Sequence, residues 1–317
     1  MRSSGQITAT LLMAALMAAL AAVGCSKGDD TSSSKGQSQP SAKMTTVSRT
    51  DESPKPIAGG DVAPAKPAGP ASYADGETAY RAGKYSDARR VFEQYTKEKP
   101  ANAWGHFMLG LASWKTGDPK QAESAFEEAL RIDPKHVKSL VNLSRVLIEQ
   151  KRFDDAIDKL TKAGELDPSS ADVHRLLGRS YAAQGKFDDA GGAYRTAIAM
   201  DGKDVWSMNN LGLVFIQKGR FHEAVLPLAR AVELRKDVAI FQNNLGMALE
   251  NTGRFTAAAE AYKGALAADP NYARAQQNLT RVQAVKVSSE EPFDLAATAK
   301  RFVESMQVPA DDSAIVR

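Results

Sequence analysis

The chain repeats itself every 34 residues, in register, six times over, and that period decides most of what it can fold into. One column of small residues reads Gly76, Gly110, Ser144, Gly178, Gly212, Gly246; a second reads Gly83, Gly117, Lys151, Gly185, Gly219, Gly253. Two places after the second column stand Tyr85, Pro119, Phe153, Phe187, Phe221 and Phe255, followed by an unbroken alanine column from Ala88 to Ala258. Phe92, Phe126, Leu160, Tyr194, Leu228 and Tyr262 supply a bulky column. Pro100, Pro134, Pro168 and Pro270 close four copies; Gly202 and Lys236 replace the proline in the fourth and fifth. A glycine after the first half and a proline at the end mark two helices joined by a tight turn. One such pair cannot cover its own apolar face, so the copies must stack on each other.

These columns match those of the tetratricopeptide repeat, and residues 69–272 resemble that family throughout. The resemblance implies an all-α fold: a right-handed superhelical solenoid of six helix-turn-helix repeats, with a C-terminal capping helix at 273–286. It further implies that the first helices line a concave face that takes extended or helical peptides. Two features depart from the pattern. Pro227 falls inside the second helix of copy five, where an interior proline costs about 3 kcal/mol or forces a kink, and Gly191-Gly192 falls in the second helix of copy four. Either they are tolerated locally or they form a hinge between the halves of the array. The tail, 287–317, carries Phe293, Leu295, Ala296, Ala299, Phe302, Val303 and Met306 at helix-like spacing. It is expected to pack on the end of the array, the alternatives being a place in the groove or a docking helix for a partner.

The amino-terminal region has a different character. Arg2 precedes an uncharged apolar run at 7–23 that is short for a membrane span and reads as the core of a signal peptide, 1–24. The run ends in Ala22-Val23-Gly24-Cys25, and Cys25 is the only cysteine of the 317 residues. This resembles the lipobox of bacterial lipoproteins, with Ala22 where leucine is usual, and implies lipidation (palmitate) at Cys25. An ordinary secretory signal or an uncleaved anchor are the plainer readings. Residues 25–68 are rich in Ser, Gly, Pro, Ala and Lys, too poor in large apolar groups to offset ordering entropy, and read as a disordered tether.

Composition removes several kinds of chemistry. A formal net charge of +3 spread over the chain argues against a nucleic-acid partner. One cysteine excludes an internal disulfide framework and multi-thiolate metal sites. The four histidines, His106, His136, His174 and His222, fall in separate repeats without a ligand at metal-binding spacing. His222-Glu223 lacks the second histidine of a zinc protease motif, and no phosphate-binding loop, dinucleotide fingerprint or nucleophile elbow is present. No enzyme activity, cofactor or metal is therefore expected.

The candidate site is the groove, in three zones. Tyr73, Tyr80, Phe107, Met108, Leu111 and Trp114 offer an aromatic anchor in the first two copies, unless part of it is core. The middle copies offer Lys138, Asn142, Arg145, Arg175 and Arg179; Arg145 and Arg179 are equivalent positions, and the pair resembles the clamp some relatives use on carboxylates. Asn142, Asn210, Asn244 and Asn278 also share one position, 34 or 68 residues apart, with Asn209 and Asn243 beside them. An amide both donates and accepts, so a row of them can hold a peptide backbone whatever its side chains. This row resembles the asparagine ladder of some superhelical arrays.

The resemblance points to a protein-binding adaptor anchored by lipid to the bacterial outer membrane and facing the periplasm. It looks similar to the pilotin-type and the Tad and type IV pilus assembly lipoproteins, with a secretin or pilus component as client. The alternative is a scaffold that recruits envelope enzymes such as peptidoglycan hydrolases or proteases.

Overall fold

The computed structural model describes residues 71–287 and 289–307. The expected leader (1–24), Cys25, the tether and the last ten residues of the tail lie outside the described residues. Every element among those described is an α-helix. The six pairs are α1 (Tyr73–Arg81) with α2 (Tyr85–Glu98), α3 (Ala103–Lys115) with α4 (Pro119–Ile132), α5 (Val137–Glu149) with α6 (Phe153–Leu166), α7 (Ala171–Ala183) with α8 (Phe187–Met200), α9 (Val205–Gln217) with α10 (Phe221–Leu234), and α11 (Ala239–Asn251) with α12 (Phe255–Ala268). Two more follow, α13 (Ala273–Gln283) and α14 (Leu295–Gln307).

The repeat columns account for this order. Gly83, Gly117, Gly185, Gly219 and Gly253 all take a left-handed backbone, φ +70° to +80°, which ends the first helix and turns the chain into the second. Lys151 takes the same conformation at φ 62°, the one non-glycine to do so among the described residues. The small column exists because the bulky one presses on it. A Cβ on Gly110 would stand 2.5 Å from the Phe126 ring, and one on Gly246 2.5 Å from Tyr262. The alanine column, with Phe92, Phe126, Leu160, Leu228 and Tyr262, is fully buried. Between copies, Asp133, Asp167, Asp201 and Asp269 each accept the backbone N–H two residues on. That side-chain turn needs no proline, which is why copy four closes as well with Gly202.

Successive helices pack pairwise, and first helices also touch the first helices of neighbouring copies, from α1–α3 to α11–α13. The second helices form no such row. The array therefore curves toward its first helices, which make the inner layer of a superhelical solenoid. Neither departure from the pattern breaks a helix: α8 runs through Gly191-Gly192 and α10 through Pro227. The buried apolar residues nonetheless form two clusters that meet within copy four, the copy carrying the glycine pair.

The tail departs from expectation. α14 packs neither on the end of the array nor along the inner row, but on α10, the outer helix of copy five. It buries Ala299 and Phe302. The reason lies in α10, whose outward side carries apolar residues where other copies have charge.

Candidate functional site: the inner helix row

Local sequence first fixes how each inner helix starts. Asn102, Asp204 and His136 cap α3, α9 and α5 by accepting N–H bonds from Gly105 (2.9 Å), Ser207 (3.0 Å) and Ser139 (3.2 Å). The Nδ1 atom of His136 is the acceptor. Burial lowers the His136 pKa, aided by Lys138 and opposed by Asp133. Its ring packs edge-on against Trp104 and Phe107, with centroids 4.6 and 5.1 Å apart.

The aromatic zone divides. Phe107, Met108 and Trp114 are buried, and Tyr73 packs on Phe92 and Tyr95, so these side chains are core of the opening copies. Trp114 also ties copy two to copy three by donating Nε1–H to Glu149 at 2.9 Å. The exposed aromatic here is one the sequence reading passed over. Trp104 is 45% exposed and lies under the Lys138 ammonium, 5.0 Å from the ring centre.

The arginines are engaged with the protein itself. Arg145 holds both carboxylate oxygens of Asp172, at 2.9 and 2.7 Å, across the α5–α7 boundary. Arg175 bonds the same carboxylate and lies 3.8 Å from Asp204. Arg145, Asp172, Arg175 and Asp204 thus form an ionic chain through copies three to five. Arg179 stands one copy beyond Arg145, on α7. The signal for the chain was the acid at position 172, one turn from Arg175 and in the column of Trp104, Lys138 and Trp206.

The asparagines make a ladder with one another. Asn244 donates to Asn209 at 2.8 Å and Asn278 to Asn243 at 3.0 Å, each bond joining adjacent copies. Asn209 in turn donates to Asn210 at 3.3 Å. Asn209, Asn243 and Asn244 are buried, so much of their hydrogen-bonding capacity serves the array. Asn142 and Asn210 are half-exposed; Asn142 donates to the Lys138 carbonyl of its own helix. Glu250 closes the row, accepting two bonds from Arg281 and one from the Tyr262 hydroxyl, all at 2.7 Å. Burial and this carboxylate raise the Tyr262 pKa.

The inner surface left for a partner therefore holds Trp104, Lys138 and Asn142 early, and Trp206, Asn210, Leu213 and Met247 late, the second group partly buried. Amides flanked by aromatic and aliphatic surface suit a peptide: apolar side chains against the rings, backbone against the amides. Among the described residues no group of three or more His, Cys, Asp or Glu is placed to hold a metal ion.

A stacked row of 34-residue helix pairs, small and bulky columns interlocked, defines a helical-repeat protein of the binding type. Family models described as tetratricopeptide repeat match residues 73–137, 113–180, 173–205 and 209–284, and the chain belongs to that family. Such proteins bind other proteins or peptides and are in general non-catalytic scaffolds. The solved Pseudomonas aeruginosa PilF has the same fold, with a TM-score of 0.58 at 17% identity, covering 66% of this chain and 95% of that one. So has YrrB, described as a tetratricopeptide repeat protein with an unusual peptide-binding site, with a TM-score of 0.50 at 17% identity over 60% of this chain and 97% of that one. A Pseudomonas putida protein described as a probable biofilm formation methyltransferase, WspC, is 36% identical over 69 residues. That match spans 22% of this chain and 16% of the relative.

Proposed function

We propose that the protein is a lipid-anchored adaptor of the bacterial cell envelope that holds extended segments of client proteins against its inner helix row. Through that grip it helps assemble an envelope complex such as a pilus or secretion system. The observation that carries this reading is the pairing, in one chain, of a lone Cys25 directly after an apolar leader with a continuous six-copy binding array. A lipid on Cys25 would hold clients at the outer-membrane face of the periplasm and raise their effective concentration there. The likeness to PilF supports the solenoid part only. Trp206, Asn210, Leu213 and Met247 are the contact surface, with Trp104, Lys138 and Asn142 as a second patch. Asn209, Asn243, Asn244, Arg145 and Arg175 shape the row from beneath.

The test is membrane fractionation followed by capture from detergent-solubilised envelope, comparing the native chain with Cys25→Ala. Loss of membrane association in Cys25→Ala, with recovery of a secretin or pilus component by the native chain, supports the reading. Equal membrane association of both forms removes the lipid anchor, and recovery of peptidoglycan hydrolases or proteases instead makes the protein a scaffold for envelope enzymes.

A further inference from the structure

Trp104 on α3 and Trp206 on α9 occupy the same repeat position on the inner row, three copies apart. Each is braced by the next copy. The His136 ring at the start of α5 stands edge-on to Trp104 with centroids 4.6 Å apart, and Phe241 of α11 stands edge-on to Trp206 at 4.8 Å. Phe107 supports Trp104 from its own helix at 5.6 Å. A braced ring loses little freedom when a partner packs on it, so both tryptophans are preorganised apolar anchors. Leu111 and Leu213, each partly exposed, lie two turns further along the same helices and extend the two anchors.

The helices between the anchors are of another kind. α3 holds a single lysine, Lys115, in its last turn, and α9 has no Lys, Arg, Asp or Glu. By contrast, α5 and α7 carry Lys138, Arg145, Arg175 and Arg179 against Glu149 and Asp172, an excess of two positive charges. Both carboxylates are already engaged, Asp172 by Arg145 and Arg175, and Glu149 by the Trp114 Nε1–H. From α3 to α9 the inner row therefore runs apolar, basic, apolar.

We propose that the inner row selects an extended client segment in which two bulky apolar side chains bracket an acidic stretch. One apolar side chain packs on Trp104, the other on Trp206 and Leu213, and the acidic residues lie over Lys138 and Arg179. This rests on the inner row being the client site and adds the chemistry of the client. The first helices touch from copy to copy, so three steps of about 8–10 Å carry the row about 24–30 Å from α3 to α9. An extended chain advances about 3.3 Å per residue, which sets the two apolar side chains about eight residues apart. Asn142 and Asn210 stand one turn along from Lys138 and Trp206, where their amides meet the backbone of such a segment.

The probe is a fluorescein-labelled peptide with two phenylalanines about eight residues apart, joined by alternating Ser and Glu. Its binding to the full chain is read by anisotropy. On the native chain, replacing every Glu of the peptide by Lys is expected to weaken binding about tenfold. Bringing the phenylalanines to about three residues apart is expected to weaken it similarly, because one anchor is lost. Lys138→Glu combined with Arg179→Glu should reverse the charge preference, a gain of binding to the Lys peptide that a misfolded chain would not show. Equal binding of the Glu and Lys peptides, indifference to the spacing, or no binding of the Glu peptide overturns the proposal. So does tightest binding at a separation of about eighteen residues, which at about 1.5 Å per residue would make the client helical. Capture of envelope proteins judges the underlying reading separately. If capture is lost when Leu213 and Met247 are both replaced by Asp while the peptides fail, the row remains the client site and the proposed makeup of the client is wrong.

Discussion

Lys151→Gly should stabilise the protein, and the array contains its own controls. Lys151 and its equivalents Gly83, Gly117, Gly185, Gly219 and Gly253 all have positive φ and all donate N–H to the carbonyl three residues back, at 3.0–3.1 Å. A Cβ on Gly83, Gly185, Gly219 or Gly253 would meet nothing within 4 Å, so a substitution in this column acts through the backbone alone. A left-handed L-residue costs about 1–2 kcal/mol. The greater freedom of glycine in the unfolded chain takes back about 0.5–1 kcal/mol. The net gain for Lys151→Gly is about 0.5–1 kcal/mol, a rise in Tm of about 1–4 °C for an array of this size. Gly185→Ala should lose a similar amount. Urea unfolding followed by circular dichroism gives both values, and amide exchange should place the Lys151→Gly gain in α5 and α6, because repeat arrays gain stability locally. Two results together refute the reasoning: no gain from Lys151→Gly and no loss from Gly185→Ala.

Other outcomes follow from the same contacts. Gly192 lies in the middle of α8 with open space where a Cβ would stand, so Gly192→Ala should stabilise by about 0.5–1 kcal/mol, read from the urea midpoint. Asn244→Ala leaves the buried Asn209 carbonyl without its donor and should cost about 1–3 kcal/mol, whereas Asn210→Ala removes only the longer 3.3 Å acceptor of the Asn209 N–H and should cost less while weakening client binding. The folded-state pKa of His136 is lowered, so its contribution is present above the unfolded value of about 6.5 and is lost as the pH falls below it. Protonation also removes the Nδ1 lone pair that caps α5. The native chain should therefore lose more Tm between about pH 7 and about pH 5, which lie on either side of the unfolded histidine pKa, than His136→Asn, which keeps an acceptor without the titration; equal losses would place the acid sensitivity elsewhere.

The fold was legible because its determinants are local and repeated. The positive-φ column, the small residues facing the bulky ones and the Asp-turn between copies each act locally; the first two are stated in all six copies and the Asp-turn in four. The inner row was legible only in outline. The 34-residue spacing shows that Asn210, Asn244 and Asn278 share a position, but not that Asn244 spends its amide on Asn209 and Asn278 on Asn243. Those bonds depend on the rotation between copies, which no single repeat encodes. Arg145 likewise reads as a free cation until the stacking brings Asp172 within reach. The seat of α14 left a trace in the sequence, Leu226 and Ala229 in columns otherwise polar or charged, apart from Gly192. Its meaning depended on where a helix some seventy residues away returns to the array.

The central claim, that the inner helix row grips client proteins, is tested most directly by photo-crosslinking in intact cells. A benzoylphenylalanine is placed in turn at Trp206 and Asn210 on the inner row and at Lys97 on the outer helix α2. The account predicts discrete protein adducts at 206 and 210, none at 97, and loss of the adducts when Leu213 and Met247 are both replaced by Asp. Adducts at 97 equal to those at 206 and 210, or no adducts on the inner row, would contradict it.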